Sequence, residues 1–456
     1  MPGKHPPGTK TGYAVLALLL CAGIGFAAFG SGSSSASSGV NSLDRIVVIY
    51  LENRSVDNLF HGFPGAGTAA TASFAPQVDA NGKPYATLPA IPDSRFPANL
   101  PNAPFNIDKY VPQTGLMPSP IHSFYQHQWQ INGGRNDKFV LYAAAGAGGT
   151  PMGYHDYSGS KLWKYARDYT FCDAFFQAAF GGSFLNHQWL VAAATPLYPN
   201  APSNMVVKNE TDPATFVDGV VTPDGYAVNS MHPVWPTTKR PGSREILPPL
   251  TNPNIGDRLT AKGVSWKWYS GGWNVAVADP AKAAKNSIIF QFHHQPFAFF
   301  KSCMRGTGCF DNNLKDRSDL LADIRKNALP SVTFYKPNGS INQHPGYANV
   351  KDADDEVAMI VEAIKKSKMW DHAAIIVTYD EFGGMWDHVA PPVIDRWGPG
   401  SRIPAIVISP FAKKGFVDHT VYDTTSILSL IETRFGVKPL SSRDAKAANM
   451  LNAFSF

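Results

Sequence analysis

Paired acids and a histidine follow an apolar stretch late in the chain. Residues 375–379 read Ile-Ile-Val-Thr-Tyr, and Asp380, Glu381, Asp387 and His388 come after them. An apolar, β-branched run predicts a buried parallel strand, and ligands of open α/β sheets bind beyond the carboxyl ends of the strands. The segment therefore brings three acids and an imidazole to the expected active-site edge. The alternative is a strand followed by a solvated acidic turn.

The first strand of the folded part repeats this pattern. Residues 43–51 are mainly apolar and lead into Glu52 and Asn53, with Asp57 just beyond. Carboxylate and amide oxygens from separate strand ends can surround one divalent cation, and such hard ligands favour Ca, Mg or Mn, with Zn as the alternative. The competing interpretation is that Glu52 and Asn53 cap the following helix, where an acid suits the helix dipole.

A candidate nucleophile follows a glycine pair at the start of a predicted helix. Ser183 lies where backbone N–H groups and the helix dipole favour an anion, and a metal or a base would have to lower the pKa of its hydroxyl. Asn186 lies on about the same face and could donate to a phosphoryl oxygen, with His187 beside it. The alternative is that Ser183 is an ordinary helix N-cap.

Several histidines lie in predicted loops. His122, His293, His294 and His344 all fall outside the predicted strands and helices. An imidazolium can bind phosphate oxygens or protonate a leaving alkoxide. A single histidine is more often structural, so it is their combination with several acids and a serine that indicates a hydrolytic site.

The composition limits the class of protein. The chain has 456 residues, a net charge of +5, 44% hydrophobic residues and 16% charged residues. This length allows a large core, in one large domain or two. Lys and Arg are scattered without long basic runs, which argues against a nucleic-acid groove. The low charge and frequent aromatic residues also argue against disorder beyond the N-terminus.

The N-terminus has the features of an export segment. Lys4 and Lys10 precede the apolar residues 13–29, and residues 31–39 are Ser, Gly and Ala. This order predicts a cleaved signal peptide, with an uncleaved membrane anchor over 13–29 as the alternative. Residues 1–40 are therefore assigned to targeting and linker, and the folded part is predicted to be periplasmic or secreted.

The cysteines agree with an oxidising compartment. Cys303 and Cys309 enclose a short loop that contains two glycines, which predicts a disulfide there. A zinc site is disfavoured because no second Cys or His pair has matching spacing. Cys172 lies in an apolar run and is predicted to be a buried free thiol.

Strands and helices are predicted to alternate along the chain. Strands are expected near 44–51, 169–176, 264–270, 331–335, 375–379 and 402–409, and helices near 123–139, 162–168, 184–194, 255–262, 314–327, 354–366 and 424–435. This order predicts an α/β fold, with a doubly wound, mostly parallel sheet and helices on both faces. Residues 41–456 are expected to form one catalytic domain with loop-rich insertions at about 61–120, 195–250 and 275–312.

Four motifs carry a resemblance to a known family. They are residues 52–55, residues 131–139, the His344 loop, and residues 379–392, which read Tyr-Asp-Glu-x-Gly-Gly-x-x-Asp-His-Val-x-Pro-Pro. Together they resemble the bacterial phosphoesterase family, which contains the phospholipase C enzymes and acid phosphatase A. That family is itself similar to the alkaline phosphatase and sulfatase superfamily. The resemblance covers most of 43–436.

The resemblance implies a role for each candidate residue. Residues 181–187, Gly-Gly-Ser-Phe-Leu-Asn-His, are similar to the acid phosphatase A branch, whereas the phospholipase C branch usually carries Thr-x-Pro-Asn-Arg. The implied catalytic residues are Ser183 as nucleophile with His344, Asn186 and His122. The implied ligands of one divalent metal are Glu52, Asn53, Ser183, Asp380 and Glu381. The implied substrate-binding residues are His187, His293, His294 and His388.

The expected function follows from these roles. The chain is predicted to be an exported, metal-dependent acid phosphatase that hydrolyses phosphomonoesters through a phosphoserine. The first alternative is a phospholipase C that cleaves phospholipid head groups. The second is a non-catalytic surface or binding protein on the same fold. The expected partners are small phosphate esters, with phospholipid as the alternative and no nucleic acid, and the oligomeric state is left open.

Overall fold

A sheet of eight strands forms the centre of the protein. It is seen in a computed structural model that describes residues 39–143, 146–239, 245–286 and 288–456. The strands are β1 Arg45–Leu51, β2 Thr170–Cys172, β3 Trp266–Ser270, β4 Leu314–Asp316, β5 Val332–Lys336, β6 Ala373–Tyr379, β7 Ala405–Ile408 and β8 Phe416–Asp418. Their order across the sheet is β8-β2-β7-β6-β1-β5-β3-β4.

The sheet is mostly parallel, as predicted. Strand β7 runs antiparallel to β6 and β2, and the other pairs run parallel. Every residue of β6 is buried, and in β1 every residue after Arg45 is buried. Central strands that are buried at successive positions must be covered on both faces, because successive side chains point to opposite sides of a sheet.

Two groups of helices pack against the sheet. In one group, α3 Ser183–Ala192 contacts α7 Thr424–Phe435 and α4 Ile255–Ala261. In the other, α6 Val350–Lys365 contacts α2 Lys161–Asp168 and α5 Arg317–Arg325. A further helix, α1 Phe124–Ile131, precedes β2. The shorter helices are Val56–Leu59, Trp273–Ala278, Pro280–Ala284, Gly308–Asn313 and Ser442–Lys446. The prediction of an α/β fold with helices on both faces of the sheet is confirmed.

The predicted helix over 314–327 is wrong at its start. Residues Leu314–Asp316 form the edge strand β4, which pairs with β3, and the helix begins at Arg317. Asp316 and Asp319 form a reciprocal capping box at this point. The cap favours a helix start at Arg317 and leaves the three preceding residues extended, so that they can pair with the sheet edge.

Of the stretches predicted as insertions, the first two have little regular structure, whereas 275–312 contains the short helices Pro280–Ala284 and Gly308–Asn313. Residues 60–104 contain no helix or strand, and residues 195–239 and 245–250 contain only isolated bridges. Within 275–312, a disulfide joins Cys303 to Cys309, and Cys172 is a buried free thiol.

The predicted signal peptide or anchor lies almost entirely in residues 1–38, outside the described residues. In the part of the chain that is described, no helix is both long and apolar enough to cross a membrane.

Candidate active site

Three neighbouring strands deliver charged residues to one edge of the sheet. Glu52 and Asn53 follow β1, Asp380 and Glu381 follow β6 on one side of it, and Lys336 ends β5 on the other side. The parallel register pairs Leu51 with Tyr379 and Ile49 with Tyr335, so these ends are level. All five side chains are completely buried. The prediction that the candidate acids meet at one edge therefore agrees with the topology.

Ser183 is the first residue of α3, and Gly182 rather than Ser183 is the N-cap. Gly181 has a φ of +84°, and a Cβ there would lie 2.6 Å from the backbone of Phe124. A glycine is therefore required where the chain turns past α1. The turn aims the Ser183 hydroxyl away from the helix N–H groups and into the acidic cluster, so the ordinary N-cap interpretation does not hold.

Three acceptor oxygens surround the Ser183 hydroxyl. Its Oγ lies 3.4 Å from Glu52 Oε2, 3.4 Å from Asn53 Oδ1 and 3.3 Å from Glu381 Oε1. A hydroxyl has one proton and can satisfy only one of these acceptors well. A divalent cation among the four oxygens would satisfy all of them, and an all-oxygen donor set suits a hard cation. The residues present therefore fit the metal site that the sequence predicts.

Local backbone geometry holds Asn53 in this cluster. Asn53 has a φ of +63°, its N–H donates to Asp380 Oδ1 at 3.1 Å, and its Nδ2 lies 3.2 Å from His122 Nε2. Gly383 approaches closely, because a Cβ there would lie 2.4 Å from the Asn53 carbonyl oxygen. The glycine after the acid pair is thus needed to let the two strand-end loops meet.

The environment shifts the pKa values of the buried acids in opposite directions. Burial alone would raise the pKa of Glu52, but the charges of Lys336 and His294 outweigh it and hold that pKa well below its usual range. Burial, and then repulsion by neighbouring carboxylates, raises the pKa of Asp380 and of Glu381. A group of buried acids with too little positive charge around it is suited to bind a cation.

A cavity of about 290 Å³ opens above Ser183. His122, His293 and His344 line it together with Ser183. The rings of His122 and His344 are 5.6 Å apart, in an edge-to-face arrangement. The structure thus brings four of the predicted site residues to one cavity, with the acidic cluster beneath the serine.

Burial lowers the pKa of each of these cavity histidines. Burial lowers the pKa of His122, lowers that of His293 well below its usual value, and lowers that of His344 to about 3. His122 Nδ1 lies 2.8 Å from the carbonyl oxygen of Pro120, and His344 Nδ1 bonds that of Pro345. In that arrangement each Nδ1–H donates, which leaves each Nε2 as an acceptor. Burial therefore disfavours a positive charge on these rings before substrate binds.

The side chain of Asn186 bonds backbone groups, whereas the sequence predicted that it would contact the phosphoryl group. Its side chain accepts from Ala179 N at 3.0 Å and donates to the carbonyl oxygens of Ala179, Gly181 and Gly182 at 3.2–3.3 Å. All of its polar atoms are engaged and it is completely buried, so no N–H remains for a phosphoryl oxygen. Asn186 holds the turn that aims Ser183, and the structure does not support its predicted contact with phosphate.

His187 and His294 lie behind the acids rather than on the cavity. His187 Nδ1 bonds the Ser183 carbonyl oxygen at 2.7 Å and lies 3.7 Å from Asp380 Oδ2. His294 Nε2 lies 2.6 Å from Glu52 Oε1, and both imidazoles are completely buried. Their contacts are with the acids, so the placement does not support direct substrate binding by either residue.

His388 belongs to a separate buried network. Its Nδ1 lies 2.5 Å from Asp57 Oδ2, and Arg402 is bonded to Asp387 at 2.8 Å. Burial would lower the pKa of His388, but the bond to Asp57 outweighs it and raises that pKa. His388 does not line the cavity above Ser183. Its predicted role in substrate binding is therefore not supported, and its contacts indicate a structural role.

We expect His388→Gln to destabilise the protein without changing KM. Removing one partner from a buried ionic network costs about 3–5 kcal/mol, because charge is left uncompensated. The folded-state pKa of His388 is raised, so its contribution is fully present below its unfolded pKa of about 6.5 and is lost as pH rises through the folded pKa. Denaturant unfolding of both proteins at several pH values measures this. A raised KM at unchanged stability would instead restore His388 to substrate binding.

Sequence reasoning missed one residue of the cluster, Lys336. Its Nζ lies 2.6 Å from Glu52 Oε1 and donates to the Leu51 carbonyl oxygen at 3.1 Å. The available signal was a charged residue at the end of an apolar strand, the same pattern that marks Glu52 and Asp380. The predicted strand stopped at residue 335, one position too early.

The fold and the site define an α/β protein with a serine hydroxyl above an acidic cluster whose oxygen atoms suit a metal ion. Residues 43–438 match the Phosphoesterase family, and the chain belongs to that family. It is similar to phospholipase C A of Mycobacterium tuberculosis, with 25% identity over 452 residues that cover 91% of this chain and 77% of that protein. It is also similar to the hemolytic phospholipase C of Pseudomonas aeruginosa, with 22% identity, covering 87% and 53%. The predicted family is confirmed, and the protein is a phosphoric ester hydrolase.

Solved structures give more distant matches. A protein of the alkaline phosphatase superfamily from Vibrio parahaemolyticus shares 13% identity, covers 73% of this chain and 75% of its own, and has a TM-score of 0.35. The lipoteichoic acid synthase LtaP from Listeria monocytogenes shares 10% identity, covers 92% and 79%, and also scores 0.35. At these scores the fold description rests on the sheet topology itself.

Proposed function

We propose that this protein is a metal-dependent acid phosphatase that hydrolyses phosphomonoesters through a phosphoserine on Ser183. One observation carries the proposal: the Ser183 hydroxyl lies within 3.4 Å of three acidic or amide oxygens at the floor of a histidine-lined cavity. A serine so placed serves as a nucleophile only if its proton is removed. The disulfide between Cys303 and Cys309 supports a location outside the cytoplasm.

The residues of the site have distinct tasks. Glu52, Asn53, Asp380 and Glu381 would hold a divalent ion together with Ser183. When bound, that ion supplies Lewis-acid stabilisation of phosphoryl charge and lowers the pKa of the serine hydroxyl. Ser183 Oγ, whose proton would be released when the ion binds, attacks phosphorus in line. The ester oxygen leaves with the proton that the substrate brings, so the phosphoryl group is transferred to the serine. Water then cleaves the phosphoserine and releases phosphate.

His344 is the better candidate to accept the substrate's proton on Nε2 and pass it to the leaving oxygen. His122 Nε2 is engaged by Asn53 Nδ2 at 3.2 Å, whereas His344 Nε2 has a looser contact, 4.0 Å from Glu52 Oε2. His344 also lies on the cavity wall, where a leaving alkoxide would emerge. His122 is then suited to orient Asn53 and to contact the phosphoryl group.

The walls of the cavity favour a monoester over a choline phospholipid. A choline head group is commonly held by an aromatic cage, and none of the described residues that line this cavity is Trp or Tyr. Three tryptophans that lie close together in the sequence could in principle form such a cage. They are Trp266, Trp268 and Trp273, and all three are buried in the hydrophobic core. Phospholipase C activity remains the second candidate, because the relatives named above carry that name.

A comparison of substrates separates the two candidates. We expect kcat/KM for p-nitrophenyl phosphate to exceed that for p-nitrophenylphosphorylcholine by at least about tenfold, a difference of about 1.4 kcal/mol in transition-state binding. Both substrates release the same chromophore, so leaving-group chemistry is matched. Phosphatidylcholine in mixed micelles is the third substrate. The opposite order of the first two, or rapid turnover of the lipid, would make phospholipase C the function.

The pH dependence of kcat/KM should distinguish monoesters from diesters. Burial lowers the pKa of His122 and lowers that of His344 to about 3, so we expect the proton for the leaving group to enter with the substrate. A phosphomonoester carries that proton below its second pKa of about 6, so kcat/KM should fall as pH rises above about 6. A phosphodiester has no such proton and serves as the control. A monoester profile that is flat or rising between about pH 6 and 8 would contradict this mechanism.

A non-catalytic surface or binding protein would not need this arrangement. A protein that only keeps the fold has no reason to retain a serine hydroxyl against buried carboxylates, because unpaired buried acids destabilise the folded state. Turnover of none of the three substrates by well-folded, metal-loaded protein would favour that alternative.

A further inference from the structure

Lys336 is a completely buried lysine at the active-site edge of the sheet. It ends β5, which pairs with β1 on the side opposite β6. The strand ends therefore place a cation beside two pairs of acid or amide side chains. Buried lysines are rare unless they are paired, so this position indicates a specific electrostatic task.

The Lys336 ammonium faces two acids. Its Nζ lies 2.6 Å from Glu52 Oε1 and 3.6 Å from Asp380 Oδ2, donates to the Leu51 carbonyl oxygen at 3.1 Å, and is 5.2 Å from the centre of the Tyr50 ring. The other oxygen of Glu52, Oε2, faces Ser183 at 3.4 Å. Glu52 thus lies between two centres, the nucleophile on one side and the lysine on the other.

The side of Glu52 that faces Lys336 has the donor set of a second metal position. Glu52, His187 and Asp380 offer atoms within 4.8 Å of one another, and so do Glu52, His293 and His294. Among the described residues, three buried atoms here that could bind a metal lack a hydrogen-bond partner: Asp380 Oδ2, His187 Nε2 and His293 Nε2. Lys336 Nζ and His294 Nε2 each lie 2.6 Å from Glu52 Oε1, so the lysine already contacts the oxygen that a second ion would bind.

We propose that Lys336 is the built-in cation of this second position: its ammonium replaces a second divalent ion and keeps the site to a single metal. Two metal ions in hydrolases of phosphate esters commonly lie about 3.5–4 Å apart and share ligands. Here Glu52 is the shared ligand, with one oxygen facing each position. The inference rests on the proposed function, since the first position is the metal site beside Ser183. Lys336 acts through Glu52 and Asp380 and is therefore a positioning residue.

Zinc content measures this directly. Metal-free wild-type, Lys336→Ala and Lys267→Ala proteins are loaded with Zn²⁺, dialysed and analysed for metal per chain. Lys267 is the matched control, because it lies on the neighbouring strand β3 and its Nζ contacts Asp323 Oδ2 at 2.6 Å, away from the cavity. We expect about one Zn²⁺ in wild type and in the control, and about two in Lys336→Ala, where charge and volume are both removed.

The outcomes separate this inference from the proposed function. About two Zn²⁺ in wild type, or no gain in Lys336→Ala, would overturn the role of Lys336. If wild type bound no Zn²⁺, and also no Ca²⁺, Mg²⁺ or Mn²⁺ when these ions were offered instead, the metal-dependent function would be contradicted, and the gain of an ion by Lys336→Ala would still decide the inference.

A second variant covers the case in which Lys336→Ala does not fold. Lys336→Met keeps the volume but removes the charge, so its metal-free form leaves Glu52 and Asp380 uncompensated. Its Tm should fall more without Zn²⁺ than with it, because the first ion also neutralises Glu52. Equal falls in the two states would show a packing role only and would overturn the inference.

Discussion

Replacing Ser183 with Ala is expected to lower kcat for a phosphomonoester by at least about 10⁴-fold, because among the described residues Ser183 is the cavity serine whose hydroxyl lies against the acidic cluster. The fold should survive the change. Ser183 is the first residue of α3 but does not cap it, and its hydroxyl bonds only the acidic cluster. Losing that hydroxyl costs at most about 1 kcal/mol. Steady-state kinetics with circular dichroism and a thermal melt measure both effects.

Ser123→Ala is the matched control for that change. Ser123 lines the same cavity, and its side chain does not cap α1, which begins at the next residue. This variant should keep kcat within a fewfold of wild type. A well-folded Ser183→Ala protein that retained a substantial fraction of wild-type kcat would show that hydrolysis does not pass through this serine.

Replacing Glu52 with Gln is expected to remove metal and activity together. The substitution takes a carboxylate oxygen from the Ser183 cluster and leaves Lys336 and His294 without their anionic partner. The stability loss should be about 3–5 kcal/mol, because a buried ionic contact loses one member. Activity should fall by roughly 10²-fold or more. Asp380→Asn should also lower metal content and activity, since Asp380 bonds Asn53 and faces Lys336.

Glu356→Gln separates metal loss from general destabilisation. Glu356 is also a buried glutamate in an ionic contact, to Arg317 at 2.7 Å, and it lies on α6 away from the cavity. The Glu356→Gln protein should be less stable than wild type but should keep its full metal content. Elemental analysis of all three purified variants decides the matter. Full metal occupancy in both Glu52→Gln and Asp380→Asn would exclude these acids as ligands.

The sheet and the meeting of its strand ends follow from local patterns. The apolar runs before Glu52 and Asp380 predict buried parallel strands, and the topology of such sheets places the following residues at one edge. Residues further along each loop are placed by contacts with other parts of the chain, which the local pattern does not show. Residues directly attached to strand ends were therefore predictable to within a few positions.

The orientation of individual side chains was not predictable in the same way. Asn186 lies one turn beyond Ser183, but its amide is taken up by backbone groups of the preceding turn. His388 follows the same strand as Asp380, yet two glycines with positive φ turn the chain so that it meets Asp57. Such choices depend on contacts between residues far apart in sequence, which spacing alone does not encode.

The lowered pKa values of the cavity histidines were unpredictable for a related reason. A sequence shows that His122 and His344 lie in loops, but burial sets the direction of their pKa. How deeply these loops are buried depends on how all the segments at the active-site edge of the sheet pack together. The same packing buries Lys336, whose charge in turn holds the pKa of Glu52 low.

The stereochemical course at phosphorus tests the central claim most directly. A phosphomonoester made chiral with oxygen isotopes is hydrolysed in isotopically labelled water, and the configuration of the released phosphate is determined. Attack by Ser183 followed by attack of water comprises two in-line displacements, so the account predicts net retention. Net inversion would mean a single direct displacement by water, and it would contradict the phosphoserine mechanism whatever the effect of the Ser183→Ala substitution.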